Sequence, residues 1–253
     1  MFARCLLVLA GLLSLQGCAP VDDSPEILVE RARLFLDRGK ADDAIEMLDR
    51  VIVAWPESAD AFFDRASAHQ RVGELEAALD DFNRALQLDP EGSRVLNDRG
   101  VLLARLGRFE EAIADFRRLL QLVPGDANGW MNLGLTQHKQ DKLDEALAAY
   151  RRSTELQREA ESMFLEASVL YELGKYEESA SLLTDVLQDE PDWAKAWLNR
   201  GLCRLSMNQA ELASEDFQQC REVDDQMQFA AALSELSRSN QYRSPPAVAK
   251  ATK

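Results

Sequence analysis

Histidines, cysteines and paired carboxylates are the residues of this chain whose chemistry could support catalysis or metal binding. The only histidines are His69 and His138, too few for a site built on imidazole ligands. Acidic pairs recur, as at Glu110-Glu111, but they open predicted helices, where a carboxylate favours the positive end of the helix dipole. No nucleophile or base has a supporting group beside it. The sequence therefore predicts a protein that is not an enzyme and that uses no metal or cofactor.

Cys203 and Cys220 lie in the body of the chain without CxxC or similar spacing, so neither a zinc site nor a disulfide framework is indicated. They fall on the two helices of one predicted pair, with an axial offset of about 9 Å at 1.5 Å per residue. Because a disulfide needs Cα atoms within about 7 Å of each other, we expect two free, buried thiols.

Cys18 follows an apolar run from Cys5 to Leu15 and a glycine, and a short basic start precedes the run. This pattern predicts a secretory signal peptide over residues 1–17, since the run is shorter than the roughly 20 residues of a membrane-spanning helix. The segment Leu15-Gln16-Gly17-Cys18 resembles the lipobox of bacterial lipoproteins, which implies that Cys18 becomes the acylated first residue of the mature chain. The alternative is ordinary secretion with Cys18 merely nearby.

The resemblance also implies a location for the mature chain. Residues 18–24 would form a lipidated tether, and several acyl chains anchor a protein stably where a single one is marginal. An alanine after the acylated cysteine, here Ala19, favours sorting to an outer membrane. We therefore expect a lipid-anchored protein of the bacterial cell envelope, held at the outer membrane and facing the periplasm.

The composition is that of a folded protein with an acidic surface. Of 253 residues, 46% are apolar and 29% are charged, and the net charge is −15. Such a charge repels nucleic acid, whose binding proteins concentrate lysine and arginine to displace counterions. A protein or peptide partner with a basic segment is expected instead, since opposite fields steer encounter.

Prolines and glycines mark a 34-residue period. It is set by Pro56, Pro90 and Pro124 and, in parallel, by Gly39, Gly73 and Gly107. Aligning on these residues divides the chain into six units, numbered 1 to 6: 25–58, 59–92, 93–126, 127–159, 160–193 and 194–227. Apolar residues recur at steps of three and four on both sides of the glycine, which is typical of helices. Each unit is therefore predicted to be two antiparallel helices that end at the glycine and at the proline.

The same residue types recur at fixed positions of the units. Positions 8 and 20 are small, as at Gly100 and Ala112, and position 24 is large, as at Phe116. Together with proline at position 32 and the 34-residue period, this pattern resembles the tetratricopeptide repeat. The resemblance implies an all-α, right-handed superhelical solenoid of about six helix-turn-helix units. A capping helix is predicted at 226–238, and the polar tail 239–253 is predicted to be disordered.

In tetratricopeptide repeats, positions 2, 5, 6, 9, 12 and 13 commonly point into a concave groove that binds polypeptides. Here position 6 is acidic in units 1 to 3 and amidic in units 4 and 6, and aromatic residues follow towards the C-terminus. The candidate groove residues are Glu30, Asp64, Asp98, Asn132, Phe164, Tyr171 and Asn199. A groove that is acidic at one end and apolar at the other suits an extended or helical segment with a basic portion.

The resemblance favours an interaction scaffold or adaptor of the cell envelope. One alternative is an architectural subunit that packs permanently in an envelope assembly, and a large apolar patch on the convex face would favour it. Another is that the acidic positions are simply a solvated surface. Binding of chaperone tails is not expected, because Val29 and Arg33 stand where the carboxylate clamp of such relatives has lysine and asparagine.

Overall fold

The structure, a computed structural model, describes residues 24–224. The predicted signal peptide, Cys18, the capping helix 226–238 and the tail lie outside these residues. Within them the chain forms twelve helices and no strand. The helices are α1 Pro25–Asp37, α2 Ala41–Ala54, α3 Ala59–Val72, α4 Leu75–Leu88, α5 Ser93–Arg105, α6 Phe109–Leu122, α7 Ala127–His138, α8 Leu143–Leu156, α9 Ala160–Glu172, α10 Tyr176–Asp189, α11 Ala194–Ser206 and α12 Ala210–Val223.

Each of the six predicted units contains one pair of helices, and successive pairs stack into an all-α solenoid. Every helix packs on the next one along the chain, α1 on α2, α2 on α3 and so on to α12. No helix within residues 24–224 is both long and apolar enough to cross a membrane.

The turn inside each pair uses a left-handed residue at position 15. Four of these residues are glycines, with φ between 72° at Gly39 and 87° at Gly73. In units 4 and 6 the same conformation is adopted by Asp141 (φ 61°) and Asn208 (φ 60°). Aspartate and asparagine tolerate this region better than other side chains, so the helix pair forms there without glycine.

Within a unit the two helices are in tight contact where position 8 meets position 24. The large residues at position 24, among them Phe116, Tyr150 and Leu183, are almost completely buried. Gly100 lies so near the Phe116 ring that an added Cβ would be 2.8 Å from it, and Gly134 has the same relation to Tyr150. Units 1 and 5 pair alanine with leucine instead, as at Ala167 and Leu183. A smaller residue at position 8 thus accompanies a ring at position 24 in three of the six units.

A second contact, which we name the arginine ladder, ties neighbouring units together. Its members Arg65, Arg99 and Arg200 occupy position 7, where tetratricopeptide repeats usually have leucine. Arg99 donates from Nε and Nη2 to the two carboxylate oxygens of Asp115 in its own second helix (2.8 and 2.6 Å). Its Nη1 donates to Asn83 in the second helix of the preceding unit (2.8 Å). Arg65 and Arg200 repeat this bridge with Asp81 and Asp216.

The ladder changes in units 4 and 5. Unit 4 carries an apolar pair at positions 7 and 23, Leu133 and Ala149, both buried. Unit 5 reverses the charges, because Glu166 at position 7 accepts from Arg151 of the preceding unit (3.3 Å). The contact at position 7 is therefore an ion pair with arginine in three units, an ion pair with glutamate in unit 5 and an apolar contact in unit 4.

Candidate functional site

The first helices of the units line one side of the solenoid. Across successive units α1 contacts α3, α5 contacts α7, α7 contacts α9 and α9 contacts α11, whereas second helices do not pack on one another to this extent. In a curved stack the elements crowd on the concave side, so the first helices form it. We name the surface formed by positions 2, 5, 6, 9, 12 and 13 of these helices the inner face.

At the N-terminal end of the inner face the predicted acidic residues are interleaved with arginines. Arg33 donates to Glu30 (2.6 Å) and, from Nε, to Asp64 of the next unit (2.7 Å). Glu30 is exposed, but Asp64 is only 3% exposed. Burial raises the pKa of Asp64 to about 6, although Arg33 opposes the shift. Arg33 thus lies between the first two of the three predicted groove carboxylates, and the second of them, Asp64, is buried.

The third carboxylate belongs to a network of amides. The Asn97 side chain donates from Nδ2 to Asp98 Oδ1 (3.0 Å), and the Asn132 side chain of the next unit donates to Asn97 Oδ1 (3.0 Å). Burial raises the pKa of Asp98 above its ordinary value. Arg94 lies near this carboxylate and places its guanidinium 4.7 Å from the centre of the Phe63 ring. Asp98 and Asn132, predicted separately, thus belong to one network that crosses units 3 and 4.

Towards the C-terminus the inner face becomes apolar and aromatic. Phe164 is half-buried and stacks on Trp193, with ring centres 4.6 Å apart. Tyr171 is half-buried, 5.4 Å from the Tyr176 ring, and Asn199 is half-buried on α11. Leu135, at position 9 of unit 4, is 38% exposed between the amide network and these rings. The candidate residues stand at inner-face positions of the first helices: acidic in units 1 to 3, amidic in unit 4, aromatic in unit 5 and again amidic at Asn199 in unit 6.

A pocket of about 650 Å³ opens at the N-terminal end of this face. Val29, Trp55 and Pro56 form its apolar wall, and Glu30 and Arg33 form its polar rim. The pocket extends the inner face to the end of the described chain.

Sequence reasoning missed several residues of the site. Arg33 lies three residues after Glu30, so their i,i+3 spacing was a readable signal for an ion pair. Asn97 stands at position 5, one of the groove positions, beside the predicted Asp98. Leu135 stands at another of these positions, position 9. Trp193 stands at the last position of unit 5, and nothing in the period indicates that it stacks on Phe164.

The remaining chemistry-bearing residues are held by neighbours. His69 Nδ1 lies 2.6 Å from Glu74, and His138 Nε2 on the inner face lies 2.9 Å from Glu172. Cys203 and Cys220 are free and buried, as expected, and burial raises the pKa of both thiols, that of Cys203 to about 11. Within residues 24–224 no group of histidine, cysteine, aspartate and glutamate side chains could hold a metal ion.

Comparison with known proteins identifies the repeat. Residues 29–93, 97–161 and 164–220 match the family model of the tetratricopeptide repeat. No curated protein matches the chain in sequence.

Solved structures share the fold at low sequence identity. PilF of Pseudomonas aeruginosa superposes with a TM-score of 0.71 at 22% identity, over 87% of this chain and 98% of that one. YrrB, described as a TPR protein with an unusual peptide-binding site, superposes with a TM-score of 0.67 at 23% identity, over 75% and 98%. MamA superposes with a TM-score of 0.62 at 18% identity, over 64% and 95%. At these identities the likeness concerns the fold.

Proposed function

Because this chain belongs to the tetratricopeptide repeat family, whose fold is typical of protein–protein interaction scaffolds, we propose that it is a non-enzymatic adaptor of the bacterial cell envelope. Its inner face binds one segment of a partner polypeptide. The peptide-binding site ascribed to YrrB supports this use of the fold. The partner's segment combines a basic portion with an apolar portion.

The observation that carries the proposal is the order of side chains along the inner face. Asn97, Asp98 and Asn132 present amide and carboxylate groups that can hydrogen-bond a peptide backbone. Leu135 is exposed beside them, and Phe164 is half-buried farther on. Alternating polar and apolar contacts of this kind are what extended or helical peptide segments use in grooves. Exposed Glu30 and the net charge of −15 favour a basic portion in the segment.

The exposed apolar residues of the second helices favour an adaptor over a permanently packed subunit. Val53, Leu156, Leu212 and Val223 are at least 36% exposed but are spread over units 1, 4 and 6. Single apolar side chains scattered over a surface are ordinary, whereas a contiguous patch marks a permanent interface.

Site-specific photocrosslinking in intact cells tests the proposal. A photoreactive residue at Leu135 on the inner face should capture one discrete polypeptide. The matched control carries it at Leu212, which is similarly exposed (42% against 38%) but lies on a second helix. Equal capture from both sites, or capture only from position 212, would contradict a groove on the inner face.

The envelope location rests on the acylation of Cys18, which lies outside the described residues. We expect mass spectrometry of the mature protein to find acyl chains on Cys18 as the first residue. Cys18→Ser should leave an unprocessed or mislocalised precursor. Normal maturation and membrane retention of this variant would refute the lipid anchor.

A further inference from the structure

The first helix of the solenoid exposes a stripe whose positions 3 and 10 are buried in every later unit. Ile27, Arg31, Leu34 and Arg38 occupy positions 3, 7, 10 and 14 of unit 1. Their spacing of four, three and four residues places them on one side of α1. Leu34 is 53% exposed, Arg31 and Arg38 are exposed, and Ile27 is half-buried. We name these four residues the end stripe.

The other five units show what this stripe normally contacts. At position 10 their side chains are at most 2% exposed: Ala68, Leu102, Thr136, Val169 and Cys203. Ala61 and Ala68, at positions 3 and 10 of unit 2, belong to a core cluster with Leu48 and Val51 of the preceding second helix. The end stripe thus corresponds to the surface that packs on a preceding second helix in the later units, and within the described chain no second helix precedes α1.

Arg31, unlike the other arginines at position 7, has no aspartate opposite it in its own unit. Arg65, Arg99 and Arg200 each bridge two second helices. Position 23 of unit 1 is Met47 instead of aspartate. Arg31 therefore lacks the carboxylate that holds the ladder arginines, and its guanidinium is available to an external anion.

We propose that the end stripe rests on the membrane surface, with Ile27 and Leu34 at the acyl boundary and Arg31 and Arg38 on lipid phosphates. The inference rests on the proposed acylation of Cys18. From Cys18 to Ser24 are six residue steps, which span at most about 20 Å when extended. Packed helices lie about 8–10 Å apart, so the lipid anchor keeps unit 1, and not the distant units, near the bilayer.

The distribution of charge on α1 agrees with this orientation. At about 100° per residue, Glu26, Glu30 and Asp37 lie about 60–100° to one side of the stripe, on the inner face. The stripe itself carries two arginines and two apolar residues, the composition of helices that lie in the membrane interface. The other acidic residues of the solenoid are screened beyond a Debye length of about 8 Å. A second copy of the chain would bring the same arginines together, which disfavours a symmetric dimer through this stripe.

The test places a spin label on the acylated, full-length mature protein in vesicles containing phosphatidylglycerol. The label is attached at Leu34→Cys and, as the control, at Leu212→Cys, since Cys203 and Cys220 are 0% exposed and do not react in the folded protein. Relaxation by dissolved oxygen, which concentrates in lipid, is compared with relaxation by a water-soluble nickel complex. At position 34 oxygen should dominate, and at position 212 the nickel complex should dominate.

A charge-reversal pair tests the arginines. Arg31→Glu with Arg38→Glu should lower the lipid-contacting population of the label at position 34 by about fivefold for each arginine lost near an anionic surface, or about 25-fold in all. The matched control Arg117→Glu with Arg118→Glu changes the same charge on exposed residues of α6 and should have no effect.

The outcomes separate this inference from the proposed anchor. Acylated, vesicle-bound protein with nickel-dominated relaxation at position 34 would overturn the inference alone. Spin–spin broadening at position 34 that disappears on dilution would show that a second copy covers the stripe and would also overturn it. A Cys18 without acyl chains would overturn both the anchor and the inference.

Discussion

At the level of single residues, Asp64 combines a buried carboxylate with an ion pair that joins two units. Burial raises its pKa to about 6, above the value of about 3.9 for an unfolded aspartate. The native state therefore binds this proton more tightly than the unfolded state does. The charged form costs stability above about pH 6, and this cost is relieved as the pH falls towards 4.

We expect this linkage to amount to about 2–3 kcal/mol, from 1.36 kcal/mol for each pKa unit. Urea unfolding of the wild type and Asp64→Asn at pH 7 and pH 4 measures it. The stability of the wild type relative to the variant should rise as the pH falls. A relative stability that falls instead would show that the Arg33 ion pair outweighs the effect of burial.

The groove residues show how far single positions can be predicted. The groove positions implied by the family resemblance, counted on the 34-residue period, predict that Asp98, Asn132 and Phe164 share one face. Their partners could not be predicted in the same way, because Asn97 meets Asn132 and Trp193 meets Phe164 only through the way units stack. The period predicts on which side of a helix a residue lies. It does not predict which side-chain conformation the residue adopts, and so not which residue of the next unit it contacts.

At the level of elements, position 8 packs against position 24, and in units 3, 4 and 6 a glycine at position 8 faces an aromatic ring. In unit 6 an alanine Cβ at Gly201 would collide with the Phe217 ring. We expect Gly201→Ala to destabilise the protein by about 1–3 kcal/mol, the usual cost of overpacking. Adding Phe217→Leu should recover part of this loss, since Ala167 and Leu183 already form that pair in unit 5. Purely additive effects in thermal unfolding would argue against a steric coupling.

The contribution of the arginine ladder to stability can be tested by substitution, because unit 4 already carries an apolar pair at the same two positions. Arg99→Leu leaves Asp115, whose side chain is 8% exposed, buried without its partner and should cost about 3–5 kcal/mol. Arg99→Leu with Asp115→Ala copies Leu133 and Ala149 of unit 4 and should lie within about 1 kcal/mol of the wild type. Urea unfolding measures both variants. A double variant as unstable as the single one would show that the arginine stabilises the interface by more than neutralising Asp115.

The elements were predictable from sequence to a greater extent than their contacts. The 34-residue spacing predicted two helices in every unit, and units 4 and 6 form the turn between them at Asp141 and Asn208 instead of at glycine. The arginines at position 7 were visible as departures from the family pattern. Their bridging role was not visible, since it needs the second helices of two units, whose juxtaposition appears only in the stack.

At the level of the whole molecule, six helix pairs stacked in order carry the two surfaces to which we assign functions. In our proposal the inner face uses Asn132, Leu135 and Phe164 to bind a polypeptide. The end stripe on α1 faces away from the stack, where no described helix covers it. If the chain is anchored through Cys18, the end stripe directs unit 1 to the membrane and leaves the inner face open to the periplasm.

The central claim is that the inner face of the first helices binds the partner polypeptide. The most direct test is the affinity of the purified partner, identified by crosslinking, for Leu135→Asp and Leu212→Asp, measured by titration calorimetry. Both variants place one charge at a similarly exposed leucine, so circular dichroism should show both folded. We predict that Leu135→Asp weakens binding at least tenfold, because it places a charge in an apolar contact, and that Leu212→Asp binds as the wild type does. Unchanged affinity in Leu135→Asp, with a loss in Leu212→Asp, would contradict the claim.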